Sequence, residues 1–370
     1  MMRPTQESLR FRPSSRITLD FHSLSGRSAI LGLKGGPMSL LTAADSQREL
    51  GAFYTRGNPF IFEPFKNWFR QVDSKKPILE PFAGTRQIAF LIEDAGFTAD
   101  WKFFDIDPSL GEVETRDTIA DFPKGFEAVI TNPPYLSFHF AKRKGLDLEK
   151  SLFRGYQSLY QTSIELALGS CDYVAMIIPE SFITSGLFTE RLQSVISLPF
   201  EMFSDTDMPT CLALWGPGEN SDFEVWRQSE YLGKFQDLVG VLASTPCSNR
   251  IRFNDPQGNL GFRAIDDSVS PSIYFCAPEE IPLEKVKVTA RLLTRVFVHG
   301  VEDLEGLTHQ VNSLISDWRL QTQDVALTAF KGMRKDGVFR RRLDYANARA
   351  LLSQAICRFE DHEHTLWGDK

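Results

Sequence analysis

Glu-Ala-Val-Ile-Thr-Asn-Pro-Pro-Tyr, residues 127–135, is a short apolar run that stops at two consecutive prolines. Neither proline has an N–H to give a ladder, so a strand over 127–131 must end there and leave the sheet in a stiff, extended turn. Such a turn leaves backbone carbonyls unpaired. The Asn132 side-chain oxygen and the Pro133 carbonyl then stand side by side and can accept both hydrogens of an exocyclic amine. Tyr135, two residues on, offers an aromatic face on which a base can stack.

Outward from this stretch, short apolar runs alternate with helical patterns. Strands are predicted at 77–80 (PILE), 101–105 (WKFFD), 127–131, 173–178 (YVAMII) and 210–215 (TCLALW), and amphipathic helices at 88–96, 156–168 and 187–196. This alternation predicts an α/β fold, a mostly parallel sheet wrapped by helices. Ligands of such sheets bind beyond the carboxyl ends of the strands. The residues there carry chemistry: Glu80-Pro81-Phe82-Ala83-Gly84 after the first strand, Asp105-Ile106-Asp107 after the second, Asp117 after the short segment from Glu114, and Pro179-Glu180-Ser181-Phe182 after YVAMII. Asp105 lies 25 residues past Glu80, where an acid is suited to bind ribose hydroxyls. The intervening turn has one glycine, a poor phosphate cradle. Acids in place of glycines suit a positively charged nucleoside such as a sulfonium.

Residues 50–215 resemble the catalytic domain of the N6-adenine DNA methyltransferases, especially the bacterial restriction–modification class whose catalytic half comes first. Gly51-Ala52-Phe53-Tyr54-Thr55 resembles the family's N-terminal cofactor motif, and Leu79-Glu80-Pro81-Phe82-Ala83-Gly84 its methionine-binding loop. Asp105, with Ile106 beside it, matches the ribose-binding acid, and Asp117 the acid that holds the cofactor adenine amine. Asn132-Pro133-Pro134-Tyr135 matches the catalytic motif without a mismatch, and Phe203 resembles a second aromatic that packs on the extruded adenine. Two residues depart from the pattern: Arg56 replaces a proline, and Arg86 the loop's second glycine, where its side chain could crowd the cofactor or contact its carboxylate. The resemblance implies a Rossmann-like class I methyltransferase sheet with helices on both faces, followed by a C-terminal mixed DNA-recognition domain. It also implies S-adenosylmethionine as cofactor and double-stranded DNA as substrate. A cognate restriction endonuclease would serve the same system without obligate physical contact, and the enzyme itself would be a cytoplasmic monomer. Asn-Pro-Pro-Tyr is similar, too, to the motif of glutamine methyltransferases acting on release factors. Cytosine-N4 enzymes more often have serine in place of Asn132, and a non-catalytic DNA-binding relative disabled at Arg86 is the alternative from another class.

The expected organisation is a leader over 1–37, a catalytic domain over 38–215 and a target-recognition domain over 216–370, joined at the polar stretch Gly216–Ser221. The leader holds six basic residues against Glu7 and Asp20, and Met38 after Lys-Gly-Gly-Pro is the expected true start. Net charge is −7, so a protein that simply coats nucleic acid is disfavoured and any DNA contact must be local. Two clusters are placed to make it. Lys142, Arg143 and Lys144 follow the catalytic loop, while Lys331, Arg334, Lys335, Arg340, Arg341 and Arg342 face only Asp336 within twelve residues. The five cysteines are scattered with no C-x-x-C pair, which fits reduced thiols better than a disulfide frame or a zinc site, and no metal is expected. No apolar run approaches the roughly 20 residues of a membrane span.

Overall fold

The runs expected as strands form the centre of one sheet in a computed structural model of the chain, which describes residues 57–145, 149–198, 208–287 and 289–367. Its strands are β1 (Ile78–Glu80), β2 (Trp101–Asp105), β3 (Glu114–Thr115), β4 (Ala128–Thr131), β5 (Tyr173–Pro179), β6 (Leu192–Ser197), β7 (Thr210–Trp215), β8 (Glu224–Arg227) and β9 (Glu230–Lys234). They are ordered β3-β2-β1-β4-β5-β7-β6-β8-β9. β3, β2, β1, β4 and β5 run parallel, and β7 lies antiparallel between β5 and β6. This is the order and strand sense of the class I, Rossmann-like methyltransferase sheet. The order reverses between β1 and β4, which opens the crevice where such sheets bind ligands.

Successive residues of a strand point to opposite faces, and here both faces are covered. Leu79, Val129, Val174, Met176, Cys211 and Ala213 bury against α4 (Leu159–Leu168) on one side. Ile78, Ala128, Ile130, Ala175, Ile177 and Leu212 bury against α1 (Glu63–Phe69) and α2 (Gln87–Asp94) on the other. That double coverage explains why these strands read as continuous apolar runs.

One element differs from its expectation. The stretch 187–196 has helical periodicity, yet its second half is strand β6, paired with β7 and β8. Val195 and Ile196 are fully buried on opposite faces of the sheet, so two-sided burial decides the conformation there. The sheet also runs past the junction expected at Gly216–Ser221, because β8 and β9 extend it to Lys234.

Beyond α5 (Phe235–Val239) come β10 (Ile251–Phe253), β11 (Leu260–Arg263), β12 (Tyr274–Cys276) and β13 (Leu293–Val298), an antiparallel sheet ordered β10-β13-β11-β12. α6 (Leu304–Thr322), the hairpin of β14 (Thr328–Met333) with β15 (Phe339–Arg342), and α7 (Tyr345–Trp367) follow. Leu307, Val311, Ile315 and Trp318 of α6 meet Leu351, Leu352, Ala355 and Ile356 of α7 and the sheet in a separate core. No helix among the described residues is long and apolar enough to cross a membrane.

The leader, Phe53, Tyr54, Thr55, Arg56 and Phe203 lie outside the described residues, as does the side chain of Lys331.

Candidate functional site

β1, β2 and β4 are neighbours in the sheet, so their carboxyl ends bring Glu80, Asp105 and Asn132 to one edge. After β1 the loop Pro81–Arg86 is held by two backbone bonds, Ala83 N–H to Phe104 O at 2.9 Å and Arg86 N–H to Ala83 O at 2.7 Å. Gly84, at φ +50°, donates its N–H to Asp105 Oδ2 at 2.9 Å, and Asp107 N–H donates to Oδ1 at 3.0 Å. The two amides fix the carboxylate between the loops. A Cβ on Gly84 would meet no atom within 4 Å, so the space above the loop is open.

Glu80 is 1% exposed, and among the described residues its Oε2 is a buried oxygen with no hydrogen-bond partner. Burial, and then the nearby charge of Asp105, raises its carboxyl well above the usual range against a smaller opposing pull from Arg86. A buried, unpartnered acceptor at a loop is a place prepared for a cationic donor. Ile106 is 65% exposed beside Asp105 and offers an apolar face. Exposed Asp117 uses Oδ1 to accept the N–H groups of Ile119 and Ala120, both at 3.1 Å, and so shapes its own turn. Phe82 is half-buried and Ala83 buried in the loop.

Arg86 adopts the left-handed region at φ +60°, which costs most residues roughly 1–2 kcal/mol and favours glycine. This is the physical reason for the glycine that the resembling family carries. The Arg86 side chain lies over the Phe103 ring and pairs with Glu112 at 2.6 Å, contacts that engage it on the β2 side of the loop.

β4 delivers Asn132 and the two prolines as expected. The loop is tied down further on by the Ser137–Ser158 bridge and by Ser158 Oγ, which donates toward the Tyr135 and Leu136 carbonyls. Tyr135 does more than present a ring. Its half-buried ring packs against the core edge-on to Tyr160, centroids 6.3 Å apart, and its hydroxyl reaches Asn132 Oδ1 at 2.7 Å and Ile177 O at 2.8 Å. Burial pushes the phenol up from its ordinary value, so it stays protonated. One hydroxyl proton cannot serve two acceptors fully. Both contacts are satisfied when the carboxamide is turned so that Nδ2 donates to the phenol oxygen and the phenol donates to Ile177 O. That orientation turns Asn132 Oδ1 away from the phenol. Pro133, lacking an N–H, could not have paired the Ile177 carbonyl.

The two basic clusters fare differently. Lys142, Arg143 and Lys144 are exposed in the last turn of α3 (Phe138–Lys144), a helix capped by Ser137 immediately after the Asn132–Tyr135 loop. Within the run at 331–342, two arginines are buried in internal ion pairs. Arg334 is 7% exposed and pairs with Asp266 at 3.0 Å and Asp336 at 2.9 Å; Arg341 is 3% exposed and pairs with Glu180 at 2.6 Å. Arg340 is half-buried, donating Nε to Asp266 O and lying over Phe330, and Arg342 is half-buried with its Nε enclosed. Of these residues Lys335 is exposed. Asp266, the anion at the centre of the cluster, lies 68 residues before Arg334, and no local sequence signal marks it. Glu180 was marked only by its place after a buried run. It takes a hydrogen bond from Ser197 Oγ at 2.6 Å besides the arginine.

Residues 62–197 match the family described as Eco57I restriction-modification methylase. No curated protein matches the chain. Among solved structures, the methyltransferase subunit of a type I restriction-modification system from Streptococcus thermophilus is 16% identical, with 47% of each chain covered and a TM-score of 0.35. The type IIG restriction endonuclease BpuSI is 15% identical over 41% of this chain and 24% of its own, with a TM-score of 0.30. The type I enzyme EcoKI M protein is 10% identical over 85% and 73%, with a TM-score of 0.34. The chain thus spans about half the length of the first structure it matches. The family match takes in the three strand ends that carry Glu80, Asp105 and Asn132.

Proposed function

We propose that the protein is a site-specific DNA methyltransferase that methylates the N6 amine of a flipped adenine, as the modification half of a restriction–modification system. The observation that carries this reading is Asn132-Pro133-Pro134-Tyr135 at the carboxyl end of β4, beside Glu80 and Asp105 at the ends of β1 and β2. The residues fit S-adenosylmethionine. Glu80 would take its ammonium, Asp105 its ribose hydroxyls, Ile106 and Asp117 its adenine, and Phe82–Gly84 would lie along its methionine portion. When bound, that cofactor supplies a methyl group on a positively charged sulfur, activated for in-line displacement.

An adenine amine is a poor nucleophile because its lone pair is delocalised into the ring. Asn132 Oδ1 and the Pro133 carbonyl hold its two hydrogens and favour a pyramidal nitrogen with the lone pair localised. Orientation of this kind is worth roughly 7–11 kcal/mol. Extruding the base costs a few kcal/mol, offset by stacking on Tyr135, and on Phe203 if it is placed as the resemblance implies, at about 1–3 kcal/mol per base. Lys142, Arg143 and Lys144, on the helix that follows the catalytic loop, would hold the backbone near the flipped base. The residues after Lys234 would read the target sequence, with Lys335, Arg340 and Arg342 the remaining basic contributors of the second cluster. A monomer in the cytoplasm, serving a system whose endonuclease need not touch it, completes the proposal.

The test is modification-aware sequencing of DNA from cells expressing the protein beside an Asn132→Ala control. N6-methyladenine at one short motif, absent from the control, is the expected result. Cofactor binding by the purified protein without modified adenine would move the acceptor elsewhere, and binding of neither would make the chain a non-catalytic relative.

A further inference from the structure

The cysteines divide into two sets. Cys171, Cys211 and Cys276 are buried, and burial pushes all three thiols up, Cys171 to about 12 and Cys276 to about 11, so they remain protonated and unreactive. Cys247 and Cys357 are half-exposed, and although 110 residues apart their sulfurs approach to 2.8 Å. That separation is only somewhat longer than the roughly 2.05 Å of an S–S bond.

The surroundings hold the two sulfurs in place. The segment 244–250 lies along one stripe of α7. Cys247 N–H donates to Ser353 Oγ at 2.8 Å, Gln354 Nε2 to Ser244 O at 2.7 Å, and Arg349 Nη1 to Ser248 O at 3.3 Å. Arg250 pairs with Glu360 at 2.7 Å. Arg349, Ser353, Cys357 and Glu360 recur at helical spacing, so the thiol pair sits in the middle of a seam fastened on both sides.

We propose that Cys247 and Cys357 form a dithiol–disulfide site that low-molecular-weight disulfides such as glutathione disulfide oxidise. The Cys247 thiolate attacks one sulfur of the small disulfide, an S–S bond forms to Cys247, and one small thiolate leaves. The Cys357 thiolate then attacks the Cys247 sulfur, closing the Cys247–Cys357 bond and expelling the second small thiolate. Two thiol protons pass to solvent and two electrons to the small disulfide. The product pins α7 to the segment that leads into β10 and closes a loop of 110 residues, the class of cross-link that constrains an unfolded chain most.

The full chain is equilibrated in a series of glutathione redox buffers, alkylated, and mapped by peptide mass without reduction. The expected result is one cross-linked peptide pair, lighter by two hydrogens, joining Cys247 to Cys357 while Cys171, Cys211 and Cys276 stay reduced. Its formation should raise the melting temperature by several degrees and reverse with dithiothreitol. Cys357→Ser should stop at the mixed disulfide on Cys247. Finding both cysteines separately capped, or both still alkylatable after oxidation of the wild-type chain, would overturn the proposal whether or not the variant folds.

Discussion

At Tyr135 one phenol serves both the Asn132 carboxamide and the Ile177 carbonyl, so a residue chosen for its ring also orients the amide beside it. Tyr135→Phe keeps the ring and removes the anchor. A net hydrogen bond is worth about 0.5–1.5 kcal/mol, so single-turnover methylation should slow roughly three- to tenfold while cofactor affinity holds. An unchanged rate would remove the hydroxyl from the mechanism. Glu80 makes a second prediction at the level of a single side chain. Its carboxyl is raised in the folded protein by burial first and Asp105 second, so the unfolded chain gives up the proton at lower pH. Stability therefore falls as pH climbs from about 4.3 toward the raised folded value and is level above it. Glu80→Gln should abolish that slope in urea melts and be more stable than the wild type at pH 8. It should also bind cofactor roughly ten- to a hundredfold more weakly, as expected for losing a charged hydrogen bond.

Among the elements, the β14–β15 hairpin depends on charges that lie elsewhere in the chain. Asp266 is fully buried and takes both Nη atoms of Arg319 at 2.8 and 2.9 Å, Nη1 of Arg334 at 3.0 Å, and the backbone N–H groups of Ser272 and Arg341. Burial alone would raise its carboxyl, but the Arg319 guanidinium and the amides outweigh it and hold it below the usual value. A lowered carboxyl contributes stability that is present above about 3.9 and lost as pH falls through the folded value. Asp266→Asn leaves two buried arginines undercompensated and should cost about 3–5 kcal/mol at pH 7, measured by denaturant unfolding. A loss under about 1 kcal/mol would mean that the cluster is solvated. Legibility from sequence also ends among the elements. β1, β4, β5 and β7 were readable because burial on both faces writes them as apolar runs bounded by turns, while β2, of which only Phe104 is buried, was readable from its run of aromatic residues. β6 was not, since Leu192, Val195 and Ile196 fit a helical stripe equally well until the neighbouring strands claim them.

Across the whole molecule, a buried ion pair joins the nine-stranded sheet to the C-terminal hairpin. Glu180 follows β5, next to the strand that carries Asn132, and Arg341 lies on β15, 161 residues later. Arg341 N–H also binds Asp266, so the hairpin's charge cluster and the end of β5 share one residue. Removing either partner strands a buried charge; Glu180→Gln and Arg341→Met should each cost about 3–5 kcal/mol. The double variant should cost less than their sum by more than 1 kcal/mol in a double-mutant cycle, and additivity would mean that the two groups do not interact.

The parallel sheet, the crevice and the residues at the strand ends were all written into the chain locally, because turn chemistry and two-sided burial leave their mark within a few positions. Asn132 and the two prolines needed no partner to be recognised. Which charges remain at the surface was settled by packing in three dimensions, since a run of arginines reads the same whether water or a buried aspartate far along the chain neutralises it. Packing also brought Cys247 to Cys357 and Tyr135 to Ile177. Those pairings come from how sheets and helices meet, and sequence spacing carries no trace of a contact made across 42 or 110 residues.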